Sequence, residues 1–122
     1  MKILIIEDDK MISDMYKVQF ELLGHDVTIS ANGAEGLIYL EMNKPDLVLL
    51  DLMMPVMDGF EVLEKLKVFQ ERDKFRVCVL SNLSQETDIR KVLDLGADDF
   101  FVKAQFTPAE LAKKLGLDDE TK

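Results

Sequence analysis

Five short apolar runs alternate with five stretches of helical spacing, and that alternation leaves few folds open to the chain. Ile3 to Ile6 is the first run, ended by Glu7-Asp8-Asp9. From Met11 to Leu23 apolar residues recur at helical spacing, as Met11, Met15, Val18 and Leu22 beside Ile12, Tyr16, Phe20 and Leu23. Gly24 follows where a left-handed C-cap is wanted. Val27 and Ile29 alternate with polar residues, as in a half-exposed edge strand. A second helix carries Ala34, Leu37, Ile38 and Met42; Gly36 weakens it and Pro45 stops it. Leu47-Val48-Leu49-Leu50 then reads as a strand buried on both faces, with Pro55 and Asp58-Gly59 turning the chain away.

The second half repeats the pattern. Val62, Leu63, Leu66 and Phe69 mark a helix, Val77 to Leu80 a strand, and Ile89, Val92 and Leu93 a helix stopped by Gly96. Phe100-Phe101-Val102 is the fifth strand, ended by Lys103. Thr107-Pro108-Ala109-Glu110 opens the last helix with a capping box and Pro at the first helical position, and turns Leu111, Ala112 and Leu115 inward. Gly116 ends that helix early, and Leu117 to Lys122 is expected to fray.

Strands and helices in strict alternation predict an α/β fold, a doubly wound parallel sheet of five strands covered on both faces. Right-handed crossovers, with the alternating second strand at an edge, select the order 2-1-3-4-5. At 122 residues this is one domain, over 1–117, followed by a short acidic tail over 118–122.

Composition removes several function classes. Hydrophobic residues at 48% and charged residues at 32% argue against disorder. No apolar run approaches the roughly 18 residues of a membrane span, and the amino terminus lacks the length and cleavage site of a signal peptide. The one cysteine, Cys78, reads as a small core residue. These features predict a cytoplasmic protein with no membrane partner. A net charge of −9 without any basic stretch argues against direct nucleic-acid binding. Asn82-Leu83-Ser84 matches a glycosylation pattern by chance, and the lone His25 reads as a surface loop residue.

The strand ends carry the chemistry. Parallel strands present their carboxyl ends on one edge, where open α/β sheets bind ligands. There the first strand ends in Glu7-Asp8, the third in Asp51, the fourth in Ser81 and the fifth in Lys103. Three close carboxylates repel one another unless a cation intervenes, and a hard divalent ion such as Mg²⁺ (or Mn²⁺) takes oxygen ligands. Asp8, Asp51 and a backbone carbonyl just past it, that of Met53, are suited to bind it directly, with Glu7 acting through water. Asp51 is then placed as a nucleophile forming an aspartyl-phosphate. Lys103 would pair with one phosphoryl oxygen and Ser81 would donate a hydrogen bond to another.

The chain resembles the response regulator receiver domain of two-component signalling over nearly its whole length. The resemblance rests on Ile-Leu-Ile-Ile-Glu-Asp-Asp at 3–9, Asp-Leu-Met-Met-Pro-Val-Met-Asp-Gly at 51–59, Leu-Ser at 80–81 and Gly-Ala-Asp-Asp-Phe-Phe-Val-Lys at 96–103. It implies a flavodoxin-like (βα)5 fold and a phosphorylation-activated switch, not a conventional enzyme. Asp51 would accept a phosphoryl group from a phosphohistidine on a sensor histidine kinase or a histidine phosphotransfer protein. Glu7 and Asp8 would form the metal-binding acidic pair, Ser81 the switch hydroxyl, Lys103 the phosphate-binding lysine and Phe100 the switch aromatic. The output would be a separate protein or domain, and the chain a monomer or a weak, phosphorylation-dependent dimer.

Three departures from the family pattern stand out. Ala104 follows the lysine where proline is usual, which predicts a looser loop. Asn82 replaces a small residue and is expected to crowd bulky phosphodonors. The short last helix puts the family's common dimer or output face in doubt. Met53 and Leu83 flank the site and should restrict attacking water, which predicts slow self-dephosphorylation.

Other readings fit less well. An Asp-nucleophile phosphohydrolase of the haloacid dehalogenase type would place a second Asp two residues after the first, where this chain has Met53. A nucleotide or flavin module would want a glycine-rich loop after the first strand, where Glu7-Asp8-Asp9 stands. A degenerate receiver that only binds partners would not need every phosphorylation residue in place.

Overall fold

The computed structural model describes residues 1–83 and 85–118. Five parallel strands, β1 (Lys2–Ile6), β2 (Asp26–Ser30), β3 (Leu47–Leu50), β4 (Arg76–Ser81) and β5 (Asp99–Val102), form one sheet in the order β2-β1-β3-β4-β5. Five helices connect or follow them: α1 (Lys10–Leu22), α2 (Gly33–Met42), α3 (Gly59–Leu66), α4 (Glu86–Asp94) and α5 (Pro108–Lys114). This is the predicted topology.

Side chains alternate across each strand, so odd and even positions build two cores. Leu4, Ile6, Val48, Leu50, Val77 and Val79 face α2, α3 and α4. Ile3, Ile5, Leu47, Leu49, Cys78 and Leu80 face α1 and α5. Side chains cap four of the five helix starts. Asp9, Asn32, Asp58 and Thr107 each cap a helix by accepting backbone N–H bonds, and Thr107 with Glu110 completes the capping box.

The faces of three helices differ from expectation. In α1 the sheet takes Tyr16 and Phe20, with Ile12 and Leu23 partly buried, and leaves Met11, Met15, Val18 and Leu22 exposed. In α2, Leu37 and Leu40 are buried, whereas Ile38 and Met42 face solvent. Gly36 is less a weak point than a contact: a Cβ there would lie 2.4 Å from Ile6 Cδ1. Leu93 of α4 is also largely exposed, and Val92 carries that helix's burial.

Leu117 is not frayed. It is buried, its N–H donates to the Ala112 carbonyl at 2.8 Å, and its own carbonyl lies 2.7 Å from His25 Nε2. His25 is therefore half-buried rather than a free loop residue, with Nδ1 2.9 Å from the Met1 amino group. The remainder of the predicted tail, residues 119–122, lies outside the described residues. Among the described residues no helix is long and apolar enough to cross a membrane.

Candidate functional site

Strand register brings the predicted groups to one edge. Ile6 pairs with Leu50, Leu50 with Val79, and Ser81 with Val102, so the residues that follow emerge side by side. The ladder runs one rung further, with Asp51 N–H donating to the Ile6 carbonyl at 3.0 Å and Glu7 N–H to that of Ser30 at 3.0 Å. Close packing holds the loop after Asp51. Gly59 lies against it so tightly that a Cβ would meet the Asp51 carbonyl oxygen at 2.4 Å and Leu52 Cα at 2.8 Å.

Carboxylate oxygens of Glu7, Asp8 and Asp51 all lie within 4.8 Å of one another. Glu7 and Asp51 are only 4% and 6% exposed, whereas Asp8 opens to solvent. Lys103, in a single 3-10 turn over Lys103–Gln105, reaches into the cluster. Its Nζ donates to Glu7 Oε1 at 2.5 Å and lies 3.5 Å from Asp51 Oδ1. Backbone donors assist: Leu52 N–H to Asp51 Oδ1 at 2.9 Å, and Asp9 N–H to Glu7 Oε2 at 3.1 Å.

One ammonium does not neutralise three carboxylates. Burial, against the pull of the Lys103 bond, pushes Glu7 up to about 7, with the Asp51 charge adding to the rise. Burial likewise raises Asp51, opposed by the Lys103 charge. Burial alone would lower Lys103; its bond to Glu7 and the Asp51 charge outweigh that and hold it above its ordinary value. A closely spaced set of hard oxygen donors, short of positive charge, fits a divalent cation.

Ser81 is buried, and its Oγ accepts the Leu83 N–H at 3.3 Å. Phe100 is half-buried in β5 and packs on the α2–α3–α4 core. Met53 sits in the exposed loop two residues after Asp51. Asp9 serves as the α1 cap.

Two features escaped the sequence reading. Tyr16, one of several apolar-stripe residues in the sequence, lines a void of about 10 Å³ with Glu7, Asp51, Leu49 and Leu80 directly beneath the site. Burial raises its phenol, whose charge environment includes Lys103, Glu7 and Asp51. Ala104, expected to loosen its loop, donates its N–H to Asn82 Oδ1 at 3.0 Å. Only the presence of an acceptor type at 82 and a non-proline at 104 could have hinted at this.

The family model described as response regulator receiver domain matches residues 3–116. The chain belongs to this family. Among relatives of this receiver domain, the alkaline phosphatase synthesis transcriptional regulatory protein PhoP of Bacillus subtilis is 37% identical over 110 residues, 90% of this chain and 45% of that protein. The DNA-binding dual master transcriptional regulator RpaA of Synechocystis is 38% identical over 102 residues, 84% of this chain and 42% of that one. The receiver domain thus spans less than half the length of these curated relatives.

Solved structures agree. The receiver domain of Francisella response regulator 1452 superposes with a TM-score of 0.83 at 32% identity, covering 99% of this chain and 98% of that one. Chemotaxis protein CheY4 of Vibrio cholerae gives 0.87 at 26% identity, covering 94% and 95%. The BeF3-activated N-terminal receiver domain of Klebsiella pneumoniae RstA gives 0.84 at 28%, covering 97% of each.

Proposed function

We propose that this receiver domain is a phosphorylation-driven switch whose acceptor is Asp51. The observation that carries the reading is the convergence of three carboxylates within 4.8 Å with the Lys103 ammonium 3.5 Å from Asp51. An Asp51 carboxylate oxygen attacks the phosphorus of a phosphohistidine on a sensor kinase or phosphotransfer protein. The P–O bond forms as the P–N bond breaks, and the electron pair returns to the imidazole nitrogen, which takes up a proton. Glu7, Asp8, Asp51 and the Met53 carbonyl would hold Mg²⁺, which when bound offsets charge on the phosphoryl oxygens. Lys103 pairs with a second oxygen, and Ser81 donates to a third through the hydroxyl proton left free by its acceptor role toward Leu83. Phe100, half-buried beside this edge, turns inward as Ser81 moves.

The exposed stripe Met11-Met15-Val18-Leu22 begins three residues past Asp8 and runs about 16 Å along α1. It is the surface on which the phosphodonor protein docks, since a contiguous exposed apolar stripe beside the acceptor suits a protein contact. The output is read by a further protein or domain in the cytoplasm.

Intact mass tests the acceptor. Incubation with Mg²⁺ and acetyl phosphate is expected to add one phosphoryl group, which is absent in Asp51→Asn and without the metal. Phosphate release with no adduct would instead indicate a hydrolase, and no adduct together with no beryllofluoride binding a partner-binding module.

A further inference from the structure

Ser81 and Lys103 leave adjacent strands, and the residues that follow them meet. Ser81 pairs with Val102 in the ladder; just beyond, Asn82 Oδ1 accepts the Ala104 N–H at 3.0 Å. The side chain thus continues the β4–β5 pairing past the ends of both strands. The loop after β4 is closed on its other side by the Leu83 N–H bond to Ser81 Oγ, and the loop after β5 is anchored by Lys103 on Glu7. Every peptide bond among the described residues is trans, so Ala104 presents its N–H within an ordinary chain. A proline at 104 would have no hydrogen to offer, and an alanine at 82 no acceptor.

We propose that the Asn82–Ala104 hydrogen bond is a latch that fixes the separation of the Ser81 hydroxyl and the Lys103 ammonium, which makes Asn82 a positioning residue for the phosphoryl group. This rests on the reading of Asp51 as acceptor. Ser81 ends β4 and Lys103 opens the turn after β5, so the segments that follow them set how far the two donors can shift. A link made before binding removes the cost of ordering both loops when the phosphoryl group arrives. Asn82 itself touches neither Asp51 nor its incoming group; its effect passes through the Ala104 amide.

The test uses the full chain with Mg²⁺ and beryllofluoride, a phosphoryl mimic, titrated against wild type, Asn82→Ala, Ala104→Pro and the double variant. Each single variant is expected to weaken binding by about three- to tenfold, the cost of ordering a freed segment when the mimic binds. The double variant should be no weaker than the weaker single, since both remove one bond. Ala104→Gly keeps the N–H and should bind as wild type does. Hydrogen exchange at the Ala104 amide should quicken in ligand-free Asn82→Ala while the melting temperature holds, because the bond is exposed. Unchanged affinity in Asn82→Ala, or single effects that multiply in the double variant, would overturn the latch. So would faster phosphorylation of Asn82→Ala whatever stands at 104, which would mark Asn82 as mere bulk. A wild-type chain that takes up no beryllofluoride would overturn the acceptor reading and the latch with it.

Discussion

Glu7 holds its proton far more tightly in the fold than in the open chain. Its carboxyl sits at about 7 against an ordinary 4.5, so between those pH values the folded state binds more protons than the unfolded state. Metal-free stability should therefore fall as pH rises from about 4.5 to about 7, by at most about 3 kcal/mol. Urea denaturation in chelator at pH 5 and pH 7.5 checks this; a slope that persists in Glu7→Gln would assign it elsewhere. Met53 and the half-buried Leu83 flank the same edge. Making both polar should shorten the phosphoryl half-life several-fold, and an unchanged half-life would exclude them as a water barrier. That Glu7, Asp8, Asp51, Ser81 and Lys103 share one edge was legible in the sequence because each stands at the end of a recognisable strand, and parallel register does the rest. Tyr16 and the Asn82–Ala104 bond were not, since each depends on a contact between distant segments that no local pattern encodes.

At the scale of the element, α1 carries the sharpest lesson. Its two apolar stripes lie one residue apart, about 100° around the helix, and spacing alone ranks neither first. The sheet takes the one with the stacked Tyr16 and Phe20 rings, 6.0 Å apart, which bury more surface than methionines would. The other stripe stays exposed, which is the basis for proposing it as a docking surface. Met15→Glu and Val18→Lys should slow transfer from a phosphorylated kinase by about tenfold or more while leaving phosphorylation by acetyl phosphate unchanged. Equal loss with both donors would place the defect in the site and sink the docking assignment. Leu117 escaped the sequence reading for a similar reason: Gly116, at φ 77°, turns the chain so that the next residue folds back onto α5.

The whole molecule gathers its buried carboxylates at one edge of its sheet. The sheet order followed from chain alternation and handedness and needed no long-range information. The strain at its carboxyl edge did need it, because only packing shows Glu7 and Asp51 buried together. Asp51→Asn is accordingly expected to make the metal-free protein more stable, by about 1–2 kcal/mol, since it removes a buried like charge. Mg²⁺ should stabilise wild type by about 2.7 kcal/mol at a hundredfold excess over Kd, seen as a higher melting temperature, and have much less effect on the variant. Equal responses would mean that the ion acts on the overall charge of −9 instead of on the site.

The aromatic ring beneath the acidic cluster has an optical consequence. The chain has no tryptophan and only two tyrosines, Tyr16 and Tyr39. Tyr39 packs at the edge of the other core, whereas Tyr16 lies under Glu7 and Asp51. A change of charge at the carboxyl edge alters the field across one of just two near-ultraviolet chromophores of this kind. Binding at this edge is therefore expected to be readable without a label, and the difference spectrum between wild type and Tyr16→Phe should isolate that signal.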